Sequence, residues 1–596
     1  MKNVYLFQPQ YAVDLRKETN YWLPYSAGCI WSYAEQYDFV KENFQLADLF
    51  FSRLDPQKVI EKLDNPVVCG FSCYLWNEKY CLAVAELIKK KWPECYIIFG
   101  GPQPTTATLD HWFVDSVILG EGEEHFVSVL RSIHEGRDPE ELFLKNRLNT
   151  LEIPSPYLNG TFDKIIADNP DVLWAVTMET NRGCPYACTF CNWGSVTYSK
   201  VKKFDLERVR AEMKWASNNP VVYMFIADAN FGIFKERDVE IARMIRDVSI
   251  HGQLEAVNLT YAKNSTEIIF EIGKIIGNLS KGVTVSVQSM NQPTLEAIKR
   301  NNLDANDVRY YMSLSEQNSV PTYTEVIIGL PEETLESWKQ GFDQILEMGQ
   351  HNAIDVWPCQ VLENSELASP ESRNKYGIKT VVAHEYTPFY NKNDYMDISE
   401  TVEIVNATNT MSTDELVEAY MYGWMIVQFH ILGYTQLYAK YARHILGIPY
   451  RKFYDIMFEK IQREPFFGPM FDHIKQNIRQ YLTTGKFADK TMSGHTLSGT
   501  SAKNIYTHKS QAFDLGLSCL CQFTDTVEPI GQLQKNFIYS RDIKLPALVE
   551  LPWNIHTWEQ EPTKYVISTK LAIDEKFNFF TTRRNGLLKN IFTKIS

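Results

Sequence analysis

The stretch Glu179-Thr-Asn-Arg-Gly-Cys184-Pro-Tyr-Ala-Cys188-Thr-Phe-Cys191-Asn-Trp-Gly spaces three cysteines as C-x3-C-x2-C. Three thiolates on one short loop can each ligate a different iron of a [4Fe–4S] cluster and leave the fourth iron open. The loop follows an apolar segment, Leu173–Glu179, that reads as a strand. Loops leaving the carboxyl ends of strands carry the chemistry in strand–helix barrels. Zinc is the competing metal, but it takes four ligands. Beyond the loop the next histidine is His251 and the next cysteine Cys359, both far along the chain.

Outward from this loop the pattern alternates. Strand candidates at Leu173–Glu179, Val221–Ala227, Ala256–Thr260, Val283–Gln288, Thr322–Ile328 and Ile354–Cys359 are separated by helical periods. Six strand–helix units fall short of the eight that close a barrel. The expectation for residues 173–384 is a partial, open (β/α)6 barrel.

Upstream, residues 1–140 alternate in the same way. Val4–Phe7, Ala47–Phe51, Val67–Cys73, Tyr96–Phe99 and Ser116–Leu119 read as strands, with amphipathic stretches at Glu78–Lys91 and Glu123–His134. Such alternation implies a parallel sheet covered on both faces, here a doubly wound, flavodoxin-like α/β domain. Ligands of these sheets bind outside the carboxyl ends of the strands. Those ends carry Ser72, then Gly100-Gly101-Pro102, then Gly120-Glu121-Gly122-Glu123. Glycines there let a bulky planar cofactor approach the backbone. A dinucleotide site would want Gly-x-Gly-x-x-Gly after the first strand, where the loop offers only Gly28.

Residues 141–172 read as a linker, with Pro154, Pro156, Gly160 and Pro170 and no sustained period. From 385 to 596 the alternation stops. Asp414–Leu432, Leu437–Leu446 and Tyr450–Glu464 read as helices, Ser493–Ser501 as a polar loop, and Lys564–Thr569 as a strand. This mostly helical region is expected to close the open side of the barrel. Tyr420, Tyr422 and His430 sit at helical spacing, which favours core packing over ligand binding.

Composition narrows the classes. The 596 residues carry a net charge of −13, so no basic footprint for nucleic acid stands out. No long uncharged apolar run suggests a membrane span, and the start lacks a signal peptide's apolar core. A cytoplasmic protein is expected. Eleven cysteines in so long a chain are no disulfide framework. Outside the loop, Cys29, Cys69, Cys73, Cys81, Cys95, Cys359, Cys519 and Cys521 read as small buried apolar residues.

The cysteine loop, preceded by Arg182-Gly183 and interleaved with Tyr186 and Phe190, resembles the radical S-adenosylmethionine superfamily over about residues 173–365. The resemblance implies a [4Fe–4S] cluster on Cys184, Cys188 and Cys191 that reductively cleaves S-adenosylmethionine to a 5′-deoxyadenosyl radical. It implies that Asp228 and Asn230, at the tip of the second strand, hydrogen-bond the methionine ammonium and order a loop. Ser286 and Gln288 at the end of the fourth strand share one face and would meet the ribose or carboxylate. Gly329, after the fifth strand, is similar to the adenine-side glycine of the family. Trp193 either packs against a cofactor or fills the core.

Ser72, Gly100, Gly101, Pro102, Gly120 and Glu121 resemble, in order, the cobalamin-binding domain fused to many of these enzymes. The first loop, from Gln8 to Gly28, has no histidine, which implies cobalt without a histidine ligand below. Both signatures together, with the run from Cys191 to Lys200, resemble cobalamin-dependent radical methyltransferases. They imply transfer of methyl from methylcobalamin to a substrate carbon from which hydrogen has been abstracted. Rearrangement, cyclisation or oxidation with the same cofactors remains open, as does a non-enzymatic iron–sulfur or cobalamin sensor. A methylthiotransferase would carry a second three-cysteine cluster. The resemblance further implies a flavodoxin- or ferredoxin-type electron donor and an organic substrate, a small metabolite or a peptide.

Overall fold

Runs such as Val4–Phe7 and Ile97–Phe99 are apolar at every position, which suits strands buried on both faces. They occupy the centre of the first sheet in the computed structural model. The structure describes residues 1–11, 20–144, 148, 150–193, 200–263, 267–318, 320–384, 394–488, 494–539, 547–551, 558, 563–569 and 590–594. The first strands are β1 (Lys2–Gln10), β2 (Asn20–Trp22), β3 (Phe44–Ser52), β4 (Pro66–Ser72), β5 (Tyr96–Gly100), β6 (Ser116–Leu119) and β7 (Leu142–Leu144). The sheet runs β3-β1-β4-β5-β6-β7 with every pair parallel. Apart from the edge strand β7 this is the flavodoxin order, whose switch point falls between β1 and β4. Phe7 stacks on Phe50 at 4.6 Å and on Phe71 at 4.5 Å, and Phe71 on Phe99 at 4.9 Å, so one aromatic ladder ties four neighbouring strands. The helices Glu78–Lys91 and Glu123–Glu135 follow β4 and β6. Three lysines close the first and two glutamates open the second, each complementing the helix dipole.

The second series begins with β8 (Leu173–Met178), then β9 (Asn181–Arg182) and β10 (Lys202–Lys203), an antiparallel pair, then β11 (Val221–Phe231) and β12 (Ala256–Tyr261). Its sheet has the order β12-β11-β8-β2, all parallel. The short β2 thus leaves the first domain and extends the second sheet. Trp22 and Tyr223 both pair with Ala175, and their rings meet edge-on at 5.5 Å across its methyl group. The later strands β13 (Val283–Thr284), β14 (Thr322–Ile328) and β15 (Ile354–Pro358) form a separate parallel sheet. All six expected strands are present, though regular pairing of the fourth stops at Thr284.

The chain divides into two compact units. One comprises Met1–Ile276, Gln360–Lys375 and Val382–Glu403; the other comprises Gly277–Cys359, Tyr376–Val381 and Ile404–Ser596. The second is mainly helical: Thr413–Met425, a π-turn at Ile426–Ile431, Gln436–His444, Tyr450–Ile461, Phe467–Thr484, Gly494–Thr507, Lys509–Leu520 and Glu528–Tyr539. Tyr422 and His430 are buried there, as packing at helical spacing requires. A three-stranded antiparallel sheet follows, Ala547–Leu551, Thr563–Thr569 and Asn590–Lys594.

Two local expectations are corrected. The stretch read as a polar loop, Ser493–Ser501, is helical from Gly494, because Ala502 and Ile505 downstream bury on one helical face and carry the turn with them. The stretch read as a linker holds β7 and a helix at Asp163–Asp168, with Tyr157, Phe162 and Ile165 buried. The basic pair Arg583–Arg584 lies outside the described residues. Among the described residues no helix is long and apolar enough to cross a membrane.

Candidate active site

The cysteine loop leaves the carboxyl end of β8 and is anchored before its first thiol. Asp228, near the end of β11, accepts hydrogen bonds from the backbone N–H groups of Thr180 (2.8 Å) and Asn181 (3.1 Å), from Asn181 Nδ2 (2.6 Å) and from the Thr180 hydroxyl. Burial pushes the Asp228 carboxyl up to about 7 against these bonds. Arg237 adds hydrogen bonds to the carbonyls of Thr180 (3.0 Å) and Phe204 (2.9 Å). Gly183, with φ +113°, turns the chain into Cys184 where a side chain would be strained.

Cys184 and Cys188 are buried, and Cys191 is more open. Asn230 Nδ2 donates to Cys184 Sγ at 3.4 Å, and Lys263 Nζ, two residues past β12, donates to Cys188 Sγ at 2.9 Å. Lys263 also stands 5.1 Å from the centre of the Tyr186 ring. The Asn230 Oδ1 atom is buried and has no hydrogen-bond partner among the described residues. It is an acceptor beside the Cys184 thiol, and an ammonium group fits it. Asp228, whose oxygens are engaged by Thr180 and Asn181, orders the loop. Among the described residues no three histidine, cysteine or carboxylate side chains converge on a single-ion site. Trp193 is half-buried next to the loop.

In the α/β domain the carboxyl ends of β4, β5 and β6 form a cradle of bare backbone. Gly101 has φ +102°, and a Cβ there would meet the Cys73 carbonyl oxygen at 2.5 Å. A Cβ at Gly100 would make only ordinary van der Waals contact, with Ile118 at 3.9 Å. Gly120 has φ +110°. Asn77 Nδ2 holds the carbonyls of Pro9 and Ser72, both at 3.1 Å, and Asn364 Nδ2 holds those of Pro102 (2.8 Å) and Pro104 (2.9 Å). Beyond β4, Tyr74 and Trp76 stack at 4.6 Å, and the buried Trp76 indole N–H has no acceptor among the described residues. A planar cofactor with a peripheral amide oxygen fits the Trp76 donor and this relief.

The remaining expected residues belong to the second unit. Ser286 Oγ donates to Glu325 Oε2 at 2.8 Å. Gln288 has φ +62°, and its backbone exchanges hydrogen bonds with Glu325 O (2.9 Å) and Ile327 N (2.8 Å). Ser286 and Gln288 are both half-buried and alternate with the buried Val285, Val287 and Ser289. Gly329 follows β14 with φ +92° and leaves 3.5 Å to Val405. Just beyond, buried Glu333 accepts from the hydroxyls of Ser289 and Ser337, and burial raises its carboxyl above the ordinary range.

Three residues of the site had no signal in the cysteine spacing or the glycine runs: Lys263, Asn77 and Asn364. The tip of the third strand was the place to look for Lys263, since loops at strand tips carry barrel chemistry.

Residues 178–345 match the model of the Radical SAM superfamily. The chain is 34% identical over 481 residues to 2-(S-pantetheinyl)-carbapenam-3-carboxylate methyltransferase of Streptantibioticus cattleyicolor, covering 76% of this chain and 69% of that one. It is 34% identical over 467 residues to the cobalamin-dependent radical SAM methyltransferase TokK of Streptomyces tokunonensis, covering 73% of this chain and 67% of that one. Among solved structures, the cobalamin-dependent S-adenosylmethionine radical enzyme OxsB with aqua-cobalamin bound aligns with a TM-score of 0.49 and 13% identity, over 91% of this chain and 84% of that one.

Proposed function

This chain belongs to the cobalamin-dependent radical S-adenosylmethionine methyltransferases, and from that membership we propose that it methylates an unactivated carbon of a small bicyclic carboxylate bearing a thioether arm. The observation that carries the reading is the 34% identity over 481 residues to a methyltransferase whose named substrate is a pantetheinyl carbapenam carboxylate. The enzyme works with a [4Fe–4S] cluster, S-adenosylmethionine and cobalamin, which when bound supply the radical that removes a substrate hydrogen and the methyl group that replaces it.

The chain's own residues bind and orient. Cys184, Cys188 and Cys191 hold the cluster. Asn230 takes the amino group of S-adenosylmethionine on its free Oδ1, while Asp228 keeps the loop in place from below. Ser286 and Gln288 serve the ribose or the carboxylate of S-adenosylmethionine, and Gly329 its adenine side. Ser72, Gly100, Gly101, Pro102, Gly120 and Glu121 seat cobalamin at the strand ends, and Trp193 covers a cofactor face. A flavodoxin or ferredoxin in the cytoplasm delivers the electron. The domain boundaries proposed with this reading are 1–140 for cobalamin, 173–384 for the barrel and 385–596 for the substrate-side region.

The test is anaerobic turnover of reconstituted enzyme with methyl-labelled S-adenosylmethionine and the pantetheinyl carbapenam carboxylate. Label in a product one carbon heavier, with 5′-deoxyadenosine formed alongside, is expected. An unlabelled product formed with 5′-deoxyadenosine would overturn methyl transfer. Methylation of an unrelated compound but not of the carbapenam would overturn the substrate class.

A further inference from the structure

The run Gly120-Glu121-Gly122-Glu123 and the segment ahead of Cys184 meet at one side chain. Arg182 turns one edge of its guanidinium to its own loop, with Nε 3.2 Å from Glu179 Oε1 and Nη2 2.8 Å from Glu179 Oε2. The other edge reaches the α/β domain, with Nη1 2.8 Å from Glu123 Oε1 and 3.4 Å from Glu121 Oε1. Glu121 Oε2 accepts from the Leu148 backbone N–H at 2.5 Å, and the Tyr25 hydroxyl donates to Glu179 Oε2 at 3.2 Å. Arg182 is 15% exposed and Glu123 5%.

Stability alone accounts poorly for this group. One guanidinium faces three carboxylates away from bulk water, and buried ionic groups are often no better than apolar packing of the same volume. What the group supplies is direction. A guanidinium is planar and its fork is rigid, so holding both edges fixes one loop against the other. Arg182 is two residues from Cys184, and Glu121 directly follows Gly120 at the cradle.

We infer that Arg182, clamped between Glu179 and the pair Glu121 and Glu123, is a positioning residue that sets the separation of the cobalt and the iron–sulfur cluster. The inference rests on the cobalamin reading of the α/β domain. A substrate radical must meet the methyl donor within a narrow distance, and a misplacement of about 1 Å can cost roughly a hundredfold in rate. Loosening the clamp lets S-adenosylmethionine cleavage continue while methyl transfer fails.

The full-length enzyme carrying cob(II)alamin and the reduced cluster has two unpaired-electron centres, so pulsed EPR reads their dipolar coupling directly. Wild type is expected to give one narrow coupling, and Arg182→Lys, which keeps the charge but loses the fork, a broadened or shifted one. Methylated product per 5′-deoxyadenosine should fall at least about tenfold. Glu123→Gln, which keeps an acceptor but weakens it, should fall between. Unchanged coupling and product ratio in Arg182→Lys with both cofactors bound would overturn the inference. If Arg182→Lys does not retain its cluster, Glu123→Gln decides: broadening supports the clamp, and an unchanged coupling overturns it. Wild-type protein that takes up no corrinoid would instead overturn the cobalamin reading, and the inference with it.

Discussion

Lys263 Nζ stands 2.9 Å from the Sγ of Cys188 and reaches it from the strand end of β12, across the sheet from the loop that carries the thiol. An ammonium hydrogen-bonded to a cluster thiolate stabilises the more negative, reduced state, since hydrogen bonds to sulfur and net charge set these potentials. Lys263→Met is therefore expected to lower the midpoint potential of the cluster by roughly 60 mV, a tenfold shift in a one-electron equilibrium. Lys263→Arg should restore most of it. Potentiometric titration followed by EPR measures both, and a midpoint unmoved in Lys263→Met would refute the role.

Asp228 and Asn230 are two residues apart but are predicted to fail differently. Asp228→Ala strands the four donors of Thr180 and Asn181, each buried donor costing about 1–3 kcal/mol. The loop should then lose its cluster, read as iron and sulfide well below four per chain. Asn230→Ala removes a donor to Cys184 and an acceptor with no partner. It should retain iron but bind S-adenosylmethionine about tenfold more weakly, in line with one lost charge-assisted hydrogen bond. Equal cluster loss in both variants would mean that Asn230 serves only the loop.

The features that were legible in the chain are those encoded locally. Flavodoxin order follows from strand–helix alternation, and the cysteine loop from spacing within eight residues. β2 was not legible, because three residues with ordinary propensity pair with β8 only through tertiary contact. The positive φ of Gln288 was not legible, because glutamine gives no sign of it. The helix from Gly494 was hidden by glycine, serine and threonine, whose low helix propensity is overridden by burial of Ala502 and Ile505. Arg182 was visible as part of the Arg-Gly-Cys run, but its partners Glu121 and Glu123 lie about 60 residues upstream.

The glycines of the cradle separate folding from binding. Gly101→Ala forces a residue into φ +102° and a contact of 2.5 Å with the Cys73 carbonyl. It should lower the melting temperature of the apoprotein and abolish corrinoid uptake together, since a left-handed backbone alone costs an L-residue about 1–2 kcal/mol. Gly100→Ala meets no protein atom closer than 3.9 Å. Its melting temperature should match wild type while corrinoid content, read from the visible spectrum, falls. Full corrinoid loading of Gly100→Ala would remove that glycine from the cofactor surface.

The second unit carries its own acid sensitivity. His351 Nδ1 lies 2.9 Å from His430 Nε2, and His430 Nδ1 lies 2.5 Å from the Tyr454 hydroxyl, which also bonds Thr435 at 3.2 Å. Burial, then the charge of Lys440, holds His430 well below its ordinary value of 6.5; burial, Lys440, His430 and His444 do the same to His351. Both are neutral in the fold and bind protons on unfolding once the pH is below about 6.5. A depressed folded value means that the stability is present above that pH and is lost as the pH falls. Each such proton contributes a slope of about 1.4 kcal/mol per pH unit. Urea unfolding of the full chain between pH 5 and 8 should therefore show midpoints that drop below pH 6.5. His351→Gln keeps a donor and an acceptor for His430 and cannot titrate, so its slope should be smaller by one proton. A slope identical to wild type would mean that the proton uptake arises elsewhere in the chain.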